Sequence, residues 1–233
     1  MKNLQEKSRI YYAEAEIYDS FAQAEDAPGL VLSVLKPLVA GKMVLDLGCG
    51  TGKYLELLAP HAAHITGIDA AAAQLAIAAR RTEGIANVSL LAGDALDAAL
   101  PSASYDIVLA CWMLGTIADE AKQKAILGRC EGLLSPGGSL VLVENAEGSE
   151  FEDIRGRVND PQLRTRRYNE WLNARGFRET NSLDSWFEFK SRAEAQDHFA
   201  AIWGEDKRPR IASHRIGHKI AIYQKRIGAP VEA

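Results

Sequence analysis

The chain has 233 residues, 47% of them apolar and 25% charged, with a net charge of −4 at pH 7 and a pI near 5.8. That length and apolar content suffice for one large α/β domain, and the acidic balance gives no general attraction to nucleic acid or to an anionic membrane. The three cysteines, at positions 49, 111 and 130, are too few and too scattered for a disulfide framework or a zinc site. We therefore predict a cytoplasmic location and no metal ion.

The N-terminal region lacks the apolar core of a signal peptide, and no apolar run approaches the ~20 residues that span a bilayer. We expect no membrane contact, and the sequence does not reveal the oligomeric state. Tyr11, Tyr12, Tyr18 and Phe21 lie on a predicted helix with acidic residues between them. The simplest interpretation is a helix that packs its aromatic side on a sheet, which is favoured for Phe21. Tyr12 and Tyr18 are six residues apart, so they do not share one narrow face.

Residues 44–53 read VLDLGCGTGK, an apolar run that ends in an acid and passes through three alternating glycines into a predicted helix at 54–59. Glycine permits positive φ and lets a ligand lie on the backbone, while the helix directs free N–H groups at it. Dinucleotide-binding turns have the pattern G-x-G-x-x-G and no preceding acid, because a carboxylate would repel the pyrophosphate. Asp46 therefore argues against a phosphate ligand and for a cationic one.

Short apolar runs then alternate with helical segments, which is typical of a parallel sheet with crossover helices. The helices include an alanine-rich one at 71–81 and one carrying Ile126, Cys130 and Leu133, which Pro136, Gly137 and Gly138 are expected to stop. Further elements are a helix at 165–175, a sixth strand within 180–190 and a final strand at 217–224. The first five predicted strands are Met43–Leu47, His64–Asp69, Val88–Ala92, Tyr105–Cys111 and 139–144.

The sequence at 44–52 resembles the first motif of the class I S-adenosylmethionine-dependent methyltransferases. The turn at 134–140 resembles the turn before the fifth strand of that family. The resemblance covers about 44–142. It implies a Rossmann-like, seven-stranded, mostly parallel sheet with helices on both faces and an antiparallel seventh strand between the fifth and sixth. We expect a single domain over 1–233, with a helical cover at 1–40, a cofactor-binding core at 41–145 and substrate-side elements at 146–233.

Because ligands of open α/β sheets sit beyond the carboxyl ends of the strands, the resemblance also implies the cofactor contacts. Asp69 is expected to accept hydrogen bonds from the ribose hydroxyls, and the alternative is that it caps the next helix. Asp94 is expected to accept a hydrogen bond from the adenine amino group, and the alternative is that it is an ordinary turn aspartate. Trp112 is either a substrate wall or core, and Cys111 a small buried filler rather than a nucleophile. The full predicted cofactor set is Tyr12, Tyr18, Asp46, Gly48, Cys49, Gly50, Asp69, Ala70, Gln74, Asp94, Ala95 and Cys111.

Methyl transfer needs alignment and a dry site, and it needs a general base only for a protonated acceptor. If the sixth strand is parallel and the seventh antiparallel, their connection, about 191–216, lies at the same sheet edge as the cofactor. It carries Trp203 and a predicted helix at 193–202 that could cap the site, and it brings His214 and His218 to this edge. His214 is our candidate for a base or substrate contact, against the alternative of a solvated or backbone-bonded histidine. His61 and His64 lie at the opposite edge.

Arginines concentrate between 150 and 180, which favours either ion pairs on a solvated helix or an anionic small-molecule substrate held by forked contacts. Transfer RNA ranks low because the whole chain is acidic. The place after the fourth strand reads ACWML and lacks the proline-rich turn of adenine and glutamine methylating enzymes. We therefore predict methyl transfer to a small molecule. The alternatives are an RNA or protein methyltransferase, a non-catalytic S-adenosylmethionine-binding protein and, disfavoured by Asp46, an NAD-dependent oxidoreductase.

Overall fold

In a computed structural model, residues 14–155 and 161–228 form a seven-stranded sheet with the order β3-β2-β1-β4-β5-β7-β6. Neighbours among the first five strands pair in parallel, whereas β7 pairs antiparallel with both β5 and β6. The predicted Rossmann-like architecture, including the place and direction of the seventh strand, is confirmed. The strands are β1 (Met43–Leu47), β2 (His64–Asp69), β3 (Val88–Ala92), β4 (Tyr105–Cys111), β5 (Leu134–Asn145), β6 (Arg178–Glu188) and β7 (Arg215–Arg226).

Helices flank the sheet, and two short 3₁₀ segments, Leu114–Thr116 and Glu205–Arg210, follow β4 and the last helix. None of the helices in the described ranges combines the length and the apolarity needed to cross a bilayer. The α-helices are α1 (Ala15–Ala24), α2 (Leu30–Val39), α3 (Lys53–Leu58), α4 (Ala72–Arg81), α5 (Glu120–Leu133), α6 (Glu150–Arg155), α7 (Pro161–Asn173) and α8 (Arg192–Trp203).

The alternation of side chains along the central strands divides the core into two layers. Leu45 and Leu47 of β1 pack on one face with α5 and α7, whereas Val44 packs on the other face with α2 and α3. Successive side chains along a strand point to opposite faces of the sheet. Because both faces are covered by helices, the side chains on both faces are apolar. Asp46 shares the face of Val44, and this places a carboxylate in an otherwise apolar layer.

A third cluster, which we call the aromatic cluster, joins α1, α6, α8 and the end of β6. Phe21 lies 4.8 Å from Phe187 between ring centroids, and Phe187 and Phe199 are fully buried. The favoured interpretation of Phe21 as a packing residue is therefore confirmed. The cluster consists of Phe21, Phe151, Phe187, Phe189, Phe199 and Trp203.

One predicted boundary is wrong. The helix before β5 already ends at Leu133, and Leu134 has the extended values φ −73° and ψ 137°. Gly137 adopts φ +81° inside the first part of β5, whose register with β4 shifts between Tyr105 and Ile107. The proline and glycines therefore form the irregular start of a strand rather than the stop of a helix, and β5 begins five residues before the predicted 139.

Candidate active site

The glycine turn after β1 adopts the left-handed backbone that its sequence predicts. Gly48, Gly50 and Gly52 have φ of +76°, +54° and +80°. The N–H groups of Gly48 and Cys49 both donate to the carbonyl of Ile68 in β2, at 2.8 and 3.0 Å. A Cβ on Gly48 would lie 2.5 Å from Met113 Cγ. Only glycine combines this φ with this approach, so the turn is fixed against the ends of β2 and β4.

Asp46 is a buried carboxylate, 3% exposed, and within residues 14–155 and 161–228 no side chain or backbone N–H donates a hydrogen bond to it. Burial, and next the charge of Asp69, raise the pKa of Asp46 to about 7. A buried acid without donors destabilises the folded chain. This orphaned group fits a cationic ligand that would supply the missing charge, as the sequence predicts.

The burial of Asp46 has a measurable consequence for the ligand-free protein. An acid whose pKa is higher when folded than its ordinary 3.8 binds more protons in the folded state, so stability falls as pH rises from about 4 to about 7 and stays lowered above that range. We expect Asp46→Asn to raise the free energy of unfolding at pH 8 by about 1–3 kcal/mol and to leave it unchanged at pH 4. Urea unfolding at the two pH values measures this.

The matched control for that variant is Asp184→Asn, because Asp184 is 87% exposed and its charge is solvated in both states. This control should unfold like the wild type at both pH values. A loss of stability in Asp46→Asn at pH 8 would contradict the expected desolvation of Asp46.

Asp69 ends β2 and uses both carboxylate oxygens on the backbone. It accepts the N–H of Gly50 at 3.0 Å and that of Ala71 at 2.8 Å. The helix-capping alternative is not what the structure shows, because Ala71 occupies the N-cap of α4 without a side-chain cap. These contacts hold the turn, and the ribose contact of Asp69 stays a prediction. Nearby, Ala70 is exposed and Gln74 is fully buried.

Asp94 lies in the turn after β3, as predicted, and is half-buried. It accepts the N–H of Leu96 at 2.9 Å and the ammonium of Lys122 at 3.0 Å, which together hold the pKa of its carboxyl below its usual range. The turn-aspartate alternative therefore describes part of its role. Ala95 is half-buried in the same turn, and the adenine contact of the pair stays a prediction.

The end of β4 meets the N-terminal cover. Burial raises the pKa of Cys111 well above its ordinary value, and burial also raises that of Cys49, so both are poor nucleophiles. Trp112 has φ +49°, and its ring lies between Tyr54 and His218, at centroid distances of 6.2 and 6.1 Å. It is partly buried and packs against the core layer that contains Val44, which agrees with the core interpretation, and the substrate-wall role stays a prediction.

Of the two tyrosines that are predicted to cover the cofactor, the structure describes one. Tyr12 lies outside the described residues. Tyr18, on α1, is half-buried, and burial followed by the charge of Glu25 raises the pKa of its hydroxyl. Its cofactor contact stays a prediction.

The structure brings a different histidine from the predicted one towards the ends of β4 and β5. His214 is exposed, and its carbonyl accepts the N–H of Phe189. His218, by contrast, is 1% exposed, with Nε2 2.9 Å from Asn145 Oδ1 and Nδ1 3.4 Å from Glu25 Oε1. The role predicted for His214 stays a prediction, and it has the weaker position of the two.

Two buried acids near this edge were not predicted. Glu25 is at the C-cap of α1, and Glu144 in β5 accepts the hydroxyl of Tyr168 at 2.9 Å and the N–H of Gly115 at 3.1 Å. Burial raises the pKa of Glu25 to about 8 and that of Glu144 to about 7. The only sequence signal for Glu144 is its position within an apolar strand, and Glu25 gives none.

Of the arginines between 150 and 180 that the structure describes, Arg155, Arg166 and Arg175 contact acids, whereas Arg164, Arg167 and Arg178 are exposed. Arg155 contacts Glu152 at 2.6 Å and Arg166 contacts Glu147 at 2.7 Å. Arg175 lies 3.8 Å over the ring of Trp171, and Arg157 lies outside the described residues. This arrangement supports the ion-pair interpretation more than a free anion site.

A polar cleft of about 390 Å³ lies between α7 and the β6–β7 pair, away from the glycine turn. Its charged groups include Glu147, Arg166, Glu179 and Lys219, and Tyr223 donates to Glu179 at 3.2 Å. The paired charges on its walls give it no evident preference for one sign of ligand. It is separate from the acids Asp46 and Asp69.

Comparisons with known proteins agree with this geometry. Residues 44–138 match the family described as methyltransferase domain. The chain is 30% identical over 190 residues to phosphoethanolamine N-methyltransferase 1 of Triticum aestivum, covering 77% of this chain and 36% of that protein. It is also 30% identical over 148 residues to demethylmenaquinone methyltransferase of Tropheryma whipplei strain Twist, covering 58% and 60%. The chain thus spans between about a third and three fifths of these relatives.

A solved structure shows the same fold. Phosphoethanolamine N-methyltransferase 2 of Haemonchus contortus, in complex with phosphomonomethylethanolamine and S-adenosylhomocysteine, superposes with a TM-score of 0.63 at 18% identity. The match covers 96% of this chain and 59% of that one.

Proposed function

We propose that this chain, whose residues 44–138 match a methyltransferase domain, is a class I S-adenosylmethionine-dependent methyltransferase and transfers a methyl group from S-adenosylmethionine to a small-molecule acceptor by in-line displacement. We further propose that 1–233 is one domain and that the protein works in the cytoplasm. The three cysteines are unpaired, which agrees with a reducing compartment.

The observation that carries this proposal is the orphaned carboxylate of Asp46 beside the glycine turn. A diphosphate would bring two further negative charges next to Asp46 and Asp69, whereas a sulfonium and an α-ammonium would neutralise the buried pair. When bound, the cofactor supplies a methyl group on a positively charged sulfur, which is a good leaving group. The chain's own contribution is to bind, align and exclude water.

The remaining roles follow from position. Asp69 would bind the ribose hydroxyls while it holds the turn through Gly50, and Asp94 and Ala95 would bind the adenine. Tyr18 would cover the site from α1. The other proposed contacts are Tyr12, Gly48, Cys49, Ala70, Gln74 and Cys111.

The acceptor is proposed to be small because Trp112 and the aromatic cluster enclose the ends of β4 and β5. The relatives act on a phosphorylated amine and a quinone precursor by name, so their acceptors are both small molecules. An anionic acceptor has less support, because Arg155 and Arg166 already contact acids, whereas Arg164, Arg167 and Arg178 are exposed.

Isothermal titration tests the cofactor directly. We expect S-adenosylhomocysteine to bind with micromolar or tighter affinity and NADH to give no heat above dilution, because the acids of the turn disfavour a pyrophosphate. Binding of NADH with no response to S-adenosylhomocysteine would reverse the proposal. Slow conversion of S-adenosylmethionine to S-adenosylhomocysteine in the same sample distinguishes an enzyme from a non-catalytic binder.

A further inference from the structure

Four buried polar side-chain atoms beyond the ends of β4 and β5 have no hydrogen-bond partner in the described part of the chain. Three of them belong to residues whose rings contact one another in series, from Tyr54 through Trp112 to His218, and the fourth belongs to Arg155, whose charge acts on His218. A buried polar atom without a partner destabilises the fold, so several at one place indicate a ligand that completes their hydrogen bonds. The atoms are Tyr54 Oη, Trp112 Nε1, Arg155 Nε and His218 Nδ1.

The hydrogen bond of His218 defines what its free nitrogen can do. Its Nε2 lies 2.9 Å from Asn145 Oδ1, and because an amide oxygen only accepts, the ring hydrogen sits on Nε2. Nδ1 therefore keeps a lone pair. Burial, and next the charge of Arg155, lower the pKa of His218 to about 3, so the ring stays neutral and can accept one hydrogen bond.

Glu25 faces that lone pair. Its Oε1 lies 3.4 Å from His218 Nδ1, and its charge acts on Cys111, the last residue of β4, and on Tyr18 of the cover. The carboxylate thus lies beside the ring of His218 and close enough to the end of β4 for its charge to act on Cys111, which is a proposed cofactor contact. Its pKa lies near neutral, as do those of Asp46 and Glu144, and of these three acids Glu25 is the one that faces His218.

We propose, on the premise of the function above, that Glu25 is the general base that takes a proton from the methyl acceptor, with His218 as its positioning residue. The attacked atom of the acceptor is then a hydroxyl oxygen or an amine nitrogen. A thiolate or a carbanion would not need this group, because it arrives already deprotonated.

With a hydroxyl acceptor, one bond forms, one bond breaks and one proton moves to Glu25. The acceptor oxygen forms the bond to the methyl carbon, and the carbon–sulfur bond breaks with its electron pair returning to sulfur. The hydroxyl proton passes to the Glu25 carboxylate, which becomes a neutral acid. That acid then directs its O–H at the lone pair of His218 Nδ1, so the two side chains change from a repelling to a bonded pair.

The surroundings of Glu25 suit this role. Burial raises its pKa to about 8, the nearby charges of Lys53 and Arg155 oppose that rise, and Asp26 adds to it. Because the pKa is raised, the basic carboxylate form increases as pH passes through about 8. A base acts best when its pKa lies near the working pH.

Methyl transfer to three probes of one size tests the proposal: phenol, benzylamine and thiophenol, with S-adenosylmethionine labelled in the methyl group. Thiophenol is an anion at neutral pH and serves as the internal control. In Glu25→Gln we expect transfer to phenol and benzylamine to fall at least 100-fold and transfer to thiophenol to change less than threefold. The wild-type rate with phenol should rise through about pH 8, and the variant should lose that rise.

Glu25→Asp keeps a carboxylate and should recover part of the phenol activity together with its rise with pH. Glu16→Gln is the matched control on the same helix, because Glu16 is 77% exposed, and it should behave like the wild type. An equal loss on all three probes in Glu25→Gln would overturn the proposal, as would wild-type transfer to thiophenol alone or to none of the probes. Failure of the wild type to bind S-adenosylhomocysteine would instead overturn the function itself.

A measurement without turnover gives a second readout. With ¹³C-labelled glutamate, the Glu25 carboxyl signal, assigned by its absence in Glu25→Gln, should titrate with a midpoint near pH 8 in the ligand-free protein. Benzylamine should lower this midpoint, because an ammonium ion beside the carboxylate favours its charged form. A midpoint that benzylamine leaves unchanged would overturn the placement of the acceptor beside Glu25.

Discussion

Asp69→Ala should weaken binding of S-adenosylhomocysteine about 30- to 150-fold, which corresponds to about 2–3 kcal/mol. The expected loss has two sources. The proposed hydrogen bonds to the ribose disappear, and the N–H of Gly50, which donates to Asp69 at 3.0 Å, loses the partner that fixes the glycine turn. Titration calorimetry measures the change.

Two further variants separate these sources. Asp97→Ala removes an exposed acid from the neighbouring turn and should leave the affinity unchanged. Asp69→Asn keeps one acceptor oxygen for the backbone but removes the charge, so it should lie between the wild type and Asp69→Ala. An affinity of Asp69→Ala equal to that of the wild type would show that the ribose role is misassigned.

Phe187→Ala should lower the free energy of unfolding by about 3–5 kcal/mol, the largest effect on stability that we expect from a single side chain. Phe187 is fully buried, and its centroid lies 4.8 Å from Phe21, 4.9 Å from Phe151 and 4.9 Å from His218. The cavity left by its removal would lie where α1, α6 and β6 meet. Urea unfolding followed by tryptophan fluorescence measures the loss.

Leu57→Ala is the control for that experiment, because Leu57 is 36% exposed and its truncation leaves no cavity. It should cost less than about 1 kcal/mol. If Phe187→Ala cost no more than Leu57→Ala, the aromatic cluster would not be a rigid part of the fold. The position of His218, which stacks on Phe187, would then need another explanation.

The sheet could be predicted from the sequence because its signals are local. Apolar runs such as Met43–Leu47 and Tyr105–Cys111 match the strands residue for residue. The start of β5 was predicted wrongly because proline and glycine usually end helices, whereas here Leu134 already pairs with Tyr105 of β4. That pairing is a tertiary contact, and it overrides the local preference of Pro136 and Gly137.

The positions of the residues in the proposed cofactor half of the site were predictable for the same reason, because Asp46, Asp69 and the glycines lie at strand ends that the sequence marks. The acceptor half was not. Glu25 and His218 are far apart in the chain, and their contact arises because α1 packs on the aromatic cluster while β7 returns beside β5. His214 was preferred to His218 although the two lie close together in the sequence. His214 precedes β7 and is exposed, whereas His218 occupies a buried position of β7, and this difference arises because β7 packs between β5 and β6.

The placement of β7 has a consequence for biosynthesis. β7 lies between β5 and β6 and pairs with both, so the facing edges of β5 and β6 stay unpaired until β7 has been made. Four fully buried residues of β7 complete the sheet: Ile220, Ala221, Ile222 and Tyr223. While the ribosome is still making residues before 215, both strands expose unpaired edges, which are open to association with other chains. The sheet of this protein therefore closes only after β7 has been translated.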